Sequence, residues 1–190
     1  MESGDVTSLQ CWKLLSSKFV IDRQWCKVRQ DAVELPTGEV VDDYFIHVRP
    51  DIALVLPITP EGEIVLVRQY RHGVEEILLE LPAGSFNPDE ESAESAARRE
   101  LVEETGYVTK SLVKLATLYD NPVKDTNEIH LFLAKNVRKL AEQQLDITEA
   151  IEVVLLPVDA VMQRVAAGEI CVSGTVSALF LGLNFLQKAQ

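Results

Sequence analysis

The segment LPAGSFNPDEESAESAARRELVEETGY, residues 81–107, constrains this chain more than any other stretch. It opens on proline and small residues, fills with carboxylates and closes on a glycine, as one helix between two loops would. Asn87-Pro88-Asp89-Glu90 offers an N-cap with a proline at the first helical position, and Gly106 offers the C′ residue. Ala93, Ala96, Ala97 and Leu101 supply an inward stripe. Glu100 and Glu104 then stand about 40° apart in projection, with Glu103 about 60° to the other side, so all three carboxylates share one edge. Like charges at this spacing repel by a few tenths of a kcal/mol per pair. A solvated acidic face is one explanation. The other is a divalent cation of the Mg²⁺ type, which takes oxygen ligands and offsets that repulsion outright.

The rest of the chain reads as strands with few helices. KFVI, then WCKVRQDAVEL, the turn PTG and EVVDDYFIHV carry a hairpin signature up to about Arg49. That block is too small to hold a core, so it should pack on something else, a second subunit included. DIALVLPI and EIVLVRQY are apolar strands joined by TPEG, and ILLEL leads into the acidic segment. LVKLATLY, EIHLFLA and IEVVLLP are later strands, VDAVMQRVAAG a short helix, and VSALFLGLNFL a buried C-terminal helix. The expected class is α/β (α+β), a mixed sheet with helices. Residues 1–49 form a small antiparallel sheet region and 50–190 the main domain.

Composition removes several classes of function. With 18 basic and 30 acidic residues the net charge is −12, which argues against a nucleic-acid partner, since such binding neutralises many phosphates. The 3 cysteines have no paired spacing, so a reducing compartment is expected rather than a disulfide framework. MESGDVTSLQ is polar and acidic, unlike a secretory signal, and no apolar run approaches the ~20 residues of a membrane span. A cytoplasmic protein is expected.

Gly84, Glu91, Arg99, Glu100, Leu101, Glu103, Glu104, Gly106 and Tyr107 resemble the box of the Nudix hydrolases, G-x5-E-x7-R-E-U-x-E-E-x-G-U with U apolar. The match is complete from Glu91 onward. Before it, six residues instead of five separate Gly84 from Glu91, a one-residue insertion in the loop ahead of the helix. The resemblance implies the Nudix fold, a mixed sheet between helices, and Mg²⁺ (or Mn²⁺) held by Glu100, Glu104 and nearby Glu103, with the Ala83 carbonyl completing the site. It implies that Arg99 orients the glutamates by ion pairing.

Further stretches resemble the ADP-ribose and ADP-sugar pyrophosphatase subgroup. In LVRQYRHG, Arg71 matches an arginine that contacts the diphosphate, and Pro122 falls where that group carries a characteristic proline. The N-terminal hairpins resemble the small sheet that those enzymes exchange within a homodimer. There Trp25 and Tyr44 match aromatics that sandwich adenine, and Arg49 a substrate arginine. A glutamate on the loop before the last strands serves as base in this subgroup; Glu149 in DITEAIEVV matches best, with Glu152 as the fallback. The implied reaction is hydrolysis of ADP-ribose or a related nucleotide sugar to AMP and a sugar phosphate. GDP-mannose, ADP-glucose and dinucleoside polyphosphates are alternative substrates, and a non-catalytic nucleotide-sugar sensor is the rival from another class. His47, His72 and His130 carry no nucleophile or metal pattern and read as structural.

Overall fold

The computed structural model describes residues 9–188, so most of the polar N-terminal segment lies outside the described residues. The chain divides into two compact units, residues 1–49 with 121–126, and residues 50–120 with 127–190.

The first unit is an antiparallel sheet of three strands in the order β1 (Lys13–Arg23), β2 (Cys26–Glu34) and β3 (Val40–His47). The PTG turn closes the second hairpin: Leu35 donates to the Glu39 carbonyl at 2.8 Å, and Gly38 takes the positive φ of 85° that its position needs. Segment 121–126 lies against β3, with the His47 amide donating to the Lys124 carbonyl at 2.7 Å. β1 is exposed along its whole length, and only Val28 and Val33 of this unit are buried apolar residues among those described. A sheet of this size with one thin layer of valine does not hold its own core.

The second unit is built on a mixed sheet. Its strands are β4 (Asp51–Ile58), β5 (Glu63–Arg71), β6 (Glu76–Glu80) and β7 (Ala83–Phe86), followed by helix α1 (Ala93–Thr105). Then come β8 (Tyr107–Val108), β9 (Leu112–Tyr119), β10 (Glu128–Lys135), β11 (Arg138–Lys139) and β12 (Ile151–Pro157). Helices α2 (Val161–Ala166) and α3 (Ser173–Lys188) end the chain. The order is β12-β5-β4-β10-β9, with β6 paired to β5 and β7 to β4; only β10 on β4 is parallel.

Period-two alternation sends side chains to two cores. Leu54, Leu56, Ile64, Leu66, Leu131 and Leu133 pack with α2 and α3 on one face, while Ala53, Val55, Val65 and Phe132 pack with Ala96, Ala97 and Leu101 of α1 on the other. Each fully buried leucine contributes about 1.5–3 kcal/mol. The sheet is thus sandwiched between helices, the expected class. Among the described residues no helix is long and apolar enough to cross a membrane.

Three expectations need correction. The helix of the acidic segment starts at Ala93, not at Pro88, because Ser92 is its N-cap, its side chain accepting from the Ser95 amide at 3.2 Å. Asn87 instead closes a separate turn, its carbonyl accepting from the Glu90 and Glu91 amides at 3.0 Å each. AGSF, in the loop expected ahead of the helix, forms the strand β7 along β4. The C-terminal helix is buried on one side only, leaving Phe180, Leu181 and Phe185 exposed.

Candidate active site

Helix α1 carries the site, and its ends are set by local chemistry. Gly106 adopts φ 73°, and its amide donates to the Val102 carbonyl at 2.8 Å, the left-handed closure expected of a C′ glycine. Ala96, Ala97 and Leu101 are fully buried, and the small alanines let the helix axis approach the sheet closely. Glu100 and Glu104 continue that buried stripe, at 8% and 3% exposure. Two carboxylates are therefore carried into an apolar interface by the packing of their own helix.

Their compensation is partial. Glu104 accepts one hydrogen bond from the Ala83 amide at 3.0 Å, and Glu100 takes Nη1 of Arg99 at 2.7 Å. Burial first, then the neighbouring Glu100, pushes the Glu104 carboxyl up to about 8. Glu100 is raised as well, by burial, with the Arg99 charge working against the shift. A Cβ at Gly84 would overlap the Glu100 carboxyl group, so only glycine lets this carboxylate lie against β7. The inserted residue lies ahead of Glu91, where residues 87–90 form a turn after β7, and Gly84 lies beside Glu100.

Arg99 organises the outer edge of the group. Its Nη1 also reaches Glu103 at 2.9 Å, and its Nη2 reaches Glu91 at 3.1 Å. Burial disfavours the guanidinium charge, but the bonds to Glu91, Glu100 and Glu103 outweigh it and raise its pKa. Glu103 is half-exposed and held by this pairing. Glu100, Glu103 and Glu104 thus line one edge of α1 with hard oxygen atoms, the donor type that a divalent cation of the Mg²⁺ type takes.

Two further groups face the same carboxylates. Arg71 is gripped by Glu80 through two bonds, Nε to Oε1 at 2.7 Å and Nη2 to Oε2 at 3.1 Å. Burial works against the Arg71 charge, and Glu80, then Glu104 and Glu149, more than restore it. Glu80 is 6% exposed and was not singled out in the sequence; its one local signal is a glutamate between leucines in LLEL. Glu149 acts electrostatically on Glu100, Glu104 and Arg71, so it belongs to this neighbourhood. The fallback Glu152 does not. It alternates with Val153, which packs on the α1 face, and it pairs with Arg68 at 2.8 Å on the other side of the sheet.

In the N-terminal unit, Arg49 donates to Asp125 at 3.1 Å, and His47 meets the other oxygen of that carboxylate at 3.0 Å. Tyr44 donates to the Val123 carbonyl at 2.9 Å and sets its ring edge-on to Trp12, with centroids 5.4 Å apart. Trp25 sits in the β1–β2 turn, 83% exposed. Tyr44 lies opposite Asp31, six positions along β2 from Trp25, or roughly 20 Å. Within one chain the two rings do not sandwich a single base. Pro122 lies in the exposed turn whose Asn121 carbonyl accepts from Asp125 at 2.8 Å.

A second donor group had no signature in the sequence. Single ligand atoms of Asp51, Glu128 and His130 lie within 4.8 Å of one another, close enough to hold a cation. His130 also meets Thr117 at 3.3 Å and packs on Phe86 with centroids 5.5 Å apart. Its anchor Asp51 is three positions along β4 from Leu54, the residue opposite Ala83.

The fold and this carboxylate-bearing helix define a Nudix-type hydrolase scaffold, and comparison with known proteins agrees. Residues 48–171 match the NUDIX domain, and residues 12–47 match the nucleoside diphosphate sugar hydrolase N-terminal domain. The chain belongs to the Nudix family. It is 35% identical over 160 residues to the ADP-ribose pyrophosphatase of Bacillus subtilis (strain 168), covering 83% of this chain and 85% of that one. It is 36% identical over 146 residues to the GDP-mannose pyrophosphatase of Escherichia coli (strain K12), covering 72% of this chain and 73% of that one. Among solved structures, an ADP compounds hydrolase superposes with a TM-score of 0.85 at 26% identity, covering 96% of this chain and 97% of that one.

Proposed function

We propose that this chain is a Mg²⁺-dependent pyrophosphatase that hydrolyses ADP-ribose or a related nucleotide sugar to AMP and a sugar phosphate. The observation that carries the reading is the pair of buried, mutually repelling carboxylates Glu100 and Glu104 on one face of α1. Glu100, Glu103, Glu104 and the Ala83 carbonyl would hold the cation, with Mn²⁺ as an alternative. A bound divalent ion supplies a lowered pKa for water and neutralises charge at a phosphoryl group.

The protein groups supply the rest. Arg71, held flat by Glu80, presents a fixed two-pronged donor that matches a diphosphate oxygen pair. Glu149 takes the proton from the attacking water as the anhydride P–O bond breaks and the leaving phosphate departs with that electron pair. Arg99 keeps Glu100 and Glu103 in place. Arg49, Trp25 and Tyr44 of the region 1–49 bind the nucleotide. Because Trp25 and Tyr44 are far apart within one chain, this reading includes a homodimer in which each copy supplies one ring. Leu14, Phe19 and Ile21 on exposed β1 suit burial against a second copy. The setting is cytoplasmic, in keeping with three free, unpaired thiols among the described residues.

A second substrate is favoured by the similarity to a GDP-mannose pyrophosphatase. A phosphate-release screen with Mg²⁺ and Mn²⁺ over ADP-ribose, ADP-glucose, GDP-mannose and diadenosine polyphosphates decides between them. ADP-ribose should give the highest kcat/KM, with AMP as a product. A clear preference for GDP-mannose would replace the substrate, and binding without turnover of any compound would leave a nucleotide-sugar sensor.

A further inference from the structure

The loop that bears Glu149 is fastened to the end of the catalytic helix by backbone amides and by one side chain. The last carbonyls of a helix have no partner within it. Here residues 140–144 supply them. Leu140 and Ala141 donate their amides to the Gly106 carbonyl at 3.1 Å each, and the Gln144 amide donates to the Glu103 carbonyl at 2.8 Å. A Cβ at Gly106 would overlap the Ala141 carbonyl oxygen, so this close seating also depends on glycine. Gln143 Nε2 donates to the Glu104 carbonyl at 2.6 Å and to the Ile151 carbonyl at 3.3 Å.

Those two carbonyls flank the working parts of the site. Glu104 is on α1, and Ile151 is the first residue of β12, two positions after Glu149. Between them, residues 145–148 are mostly exposed. Glu149 closes a short turn with Asp146: each amide donates to the other residue, one to a side-chain oxygen and one to a carbonyl, at 2.9 Å in both cases. The turn is closed by its own hydrogen bonds, and Gln143 is the side chain that ties both α1 and the start of β12 to this loop. We infer that Gln143 is a positioning residue that sets the separation between Glu149 and the Glu100–Glu104 pair. The inference rests on the reading of Glu149 as the base.

The chemistry of the contact selects this residue type. Both partners are acceptors, so only the NH₂ end of the carboxamide can serve both, one hydrogen to each. A glutamate would set a carboxylate against two carbonyl oxygens at the negative pole of α1. A lysine could still donate there.

Full-length wild type, Gln143→Ala, Gln143→Glu, Gln143→Lys, Glu149→Gln and the Gln143→Ala/Glu149→Gln double variant would be compared on ADP-ribose with Mg²⁺. The expected result is a ~10-fold loss of kcat in Gln143→Ala, the scale of lost outer-shell support, with KM and half-activating Mg²⁺ changed less than ~2-fold. Gln143→Glu should be slower still, and Gln143→Lys should recover part of the loss. In the Glu149→Gln background, Gln143→Ala should cost nothing further, because the two act through one group. A wild-type kcat in Gln143→Ala, or an undiminished loss in the double variant, would overturn the inference. If Glu149→Gln keeps wild-type kcat, or ADP-ribose is not turned over, the base or substrate reading has failed instead. Deuterium uptake then judges the clamp: faster exchange over 144–149 in Gln143→Ala sustains it, and unchanged exchange removes it.

Discussion

The two units of this chain solve opposite problems. In residues 50–120 with 127–190, the main sheet has helices packed on both faces, and Leu56, Leu66, Leu131 and Leu133 are fully buried. In residues 9–49 with 121–126, two valines are the buried apolar residues while Trp12, Phe19, Ile21 and Trp25 face out. The main-sheet unit holds charged groups in its interior because the surrounding packing over-determines their positions. Truncating one of its buried leucines to alanine would cost about 2–5 kcal/mol. The three-stranded unit has no such reserve, and its apolar surface is available for a partner or a ligand. Chemistry that needs fixed geometry and low dielectric belongs on the main-sheet unit, and recognition on the three-stranded one.

The sharpest way to break that division is Glu104→Gln. Turnover should fall by ~10³-fold, several kcal/mol of charge stabilisation at the phosphoryl centre, while folding is retained. A near wild-type rate at saturating Mg²⁺ would take Glu104 out of the site.

The same residue makes a prediction about stability. Glu104 has a pKa of about 8 in the fold against 4.5 as the ordinary value. Between these values the folded state keeps a proton that the unfolded state has lost, so stability falls as pH rises through that window. Melting temperatures of metal-free protein should drop from pH 5 to pH 8 relative to the Glu104→Gln variant, and Mg²⁺ should reverse the drop. Parallel curves for the two proteins would count against a buried, protonated Glu104.

Smaller effects test the loop and the N-terminal unit. Glu149→Gln should lower kcat by ~10²-fold, the usual range for loss of a general base. Trp25→Ala should raise KM for ADP-ribose by ~10-fold, since stacking on one base is worth about 1–3 kcal/mol. An unchanged KM would return Trp25 to a structural role and blur the contrast between the units. Glu152→Gln should leave kcat and KM alone and shift stability by less than ~1 kcal/mol, as for other exposed ion pairs. A loss larger than that of Glu149→Gln would mean that the wrong glutamate has been chosen.

What could be read in the sequence was what is local. The carboxylate edge of α1 and its closing glycine follow from spacing along one helix, and both are present. The start of that helix was misplaced because two capping signals, Asn87-Pro88 and Ser92, compete within six residues, and the second wins through Ser95. Glu80 and Gln143 were illegible for a different reason. Their partners are reached across a β-hairpin and across a gap of 39 residues, separations that no periodicity reports. The pairing of Glu152 with Arg68 follows from the register of β12 with β5, which the sequence alone does not give. The Asp51, Glu128 and His130 group lay beyond pattern altogether, since it assembles from the first residues of two parallel strands.

The extra residue between Gly84 and Glu91 has a practical meaning. Gly84 and Glu100 touch through space, while the stretch joining them is a surface turn followed by a serine cap. What the chemistry holds constant is the distance from a strand to a helix, and the number of residues spanning it is free to drift. A signature written with a rigid interval at this point would pass over chains like this one. For the same reason, residues 87–90, ahead of the Glu91 that pairs with Arg99, are where a protein engineer could lengthen the polypeptide, or graft a reporter peptide, and leave the carboxylate cluster undisturbed.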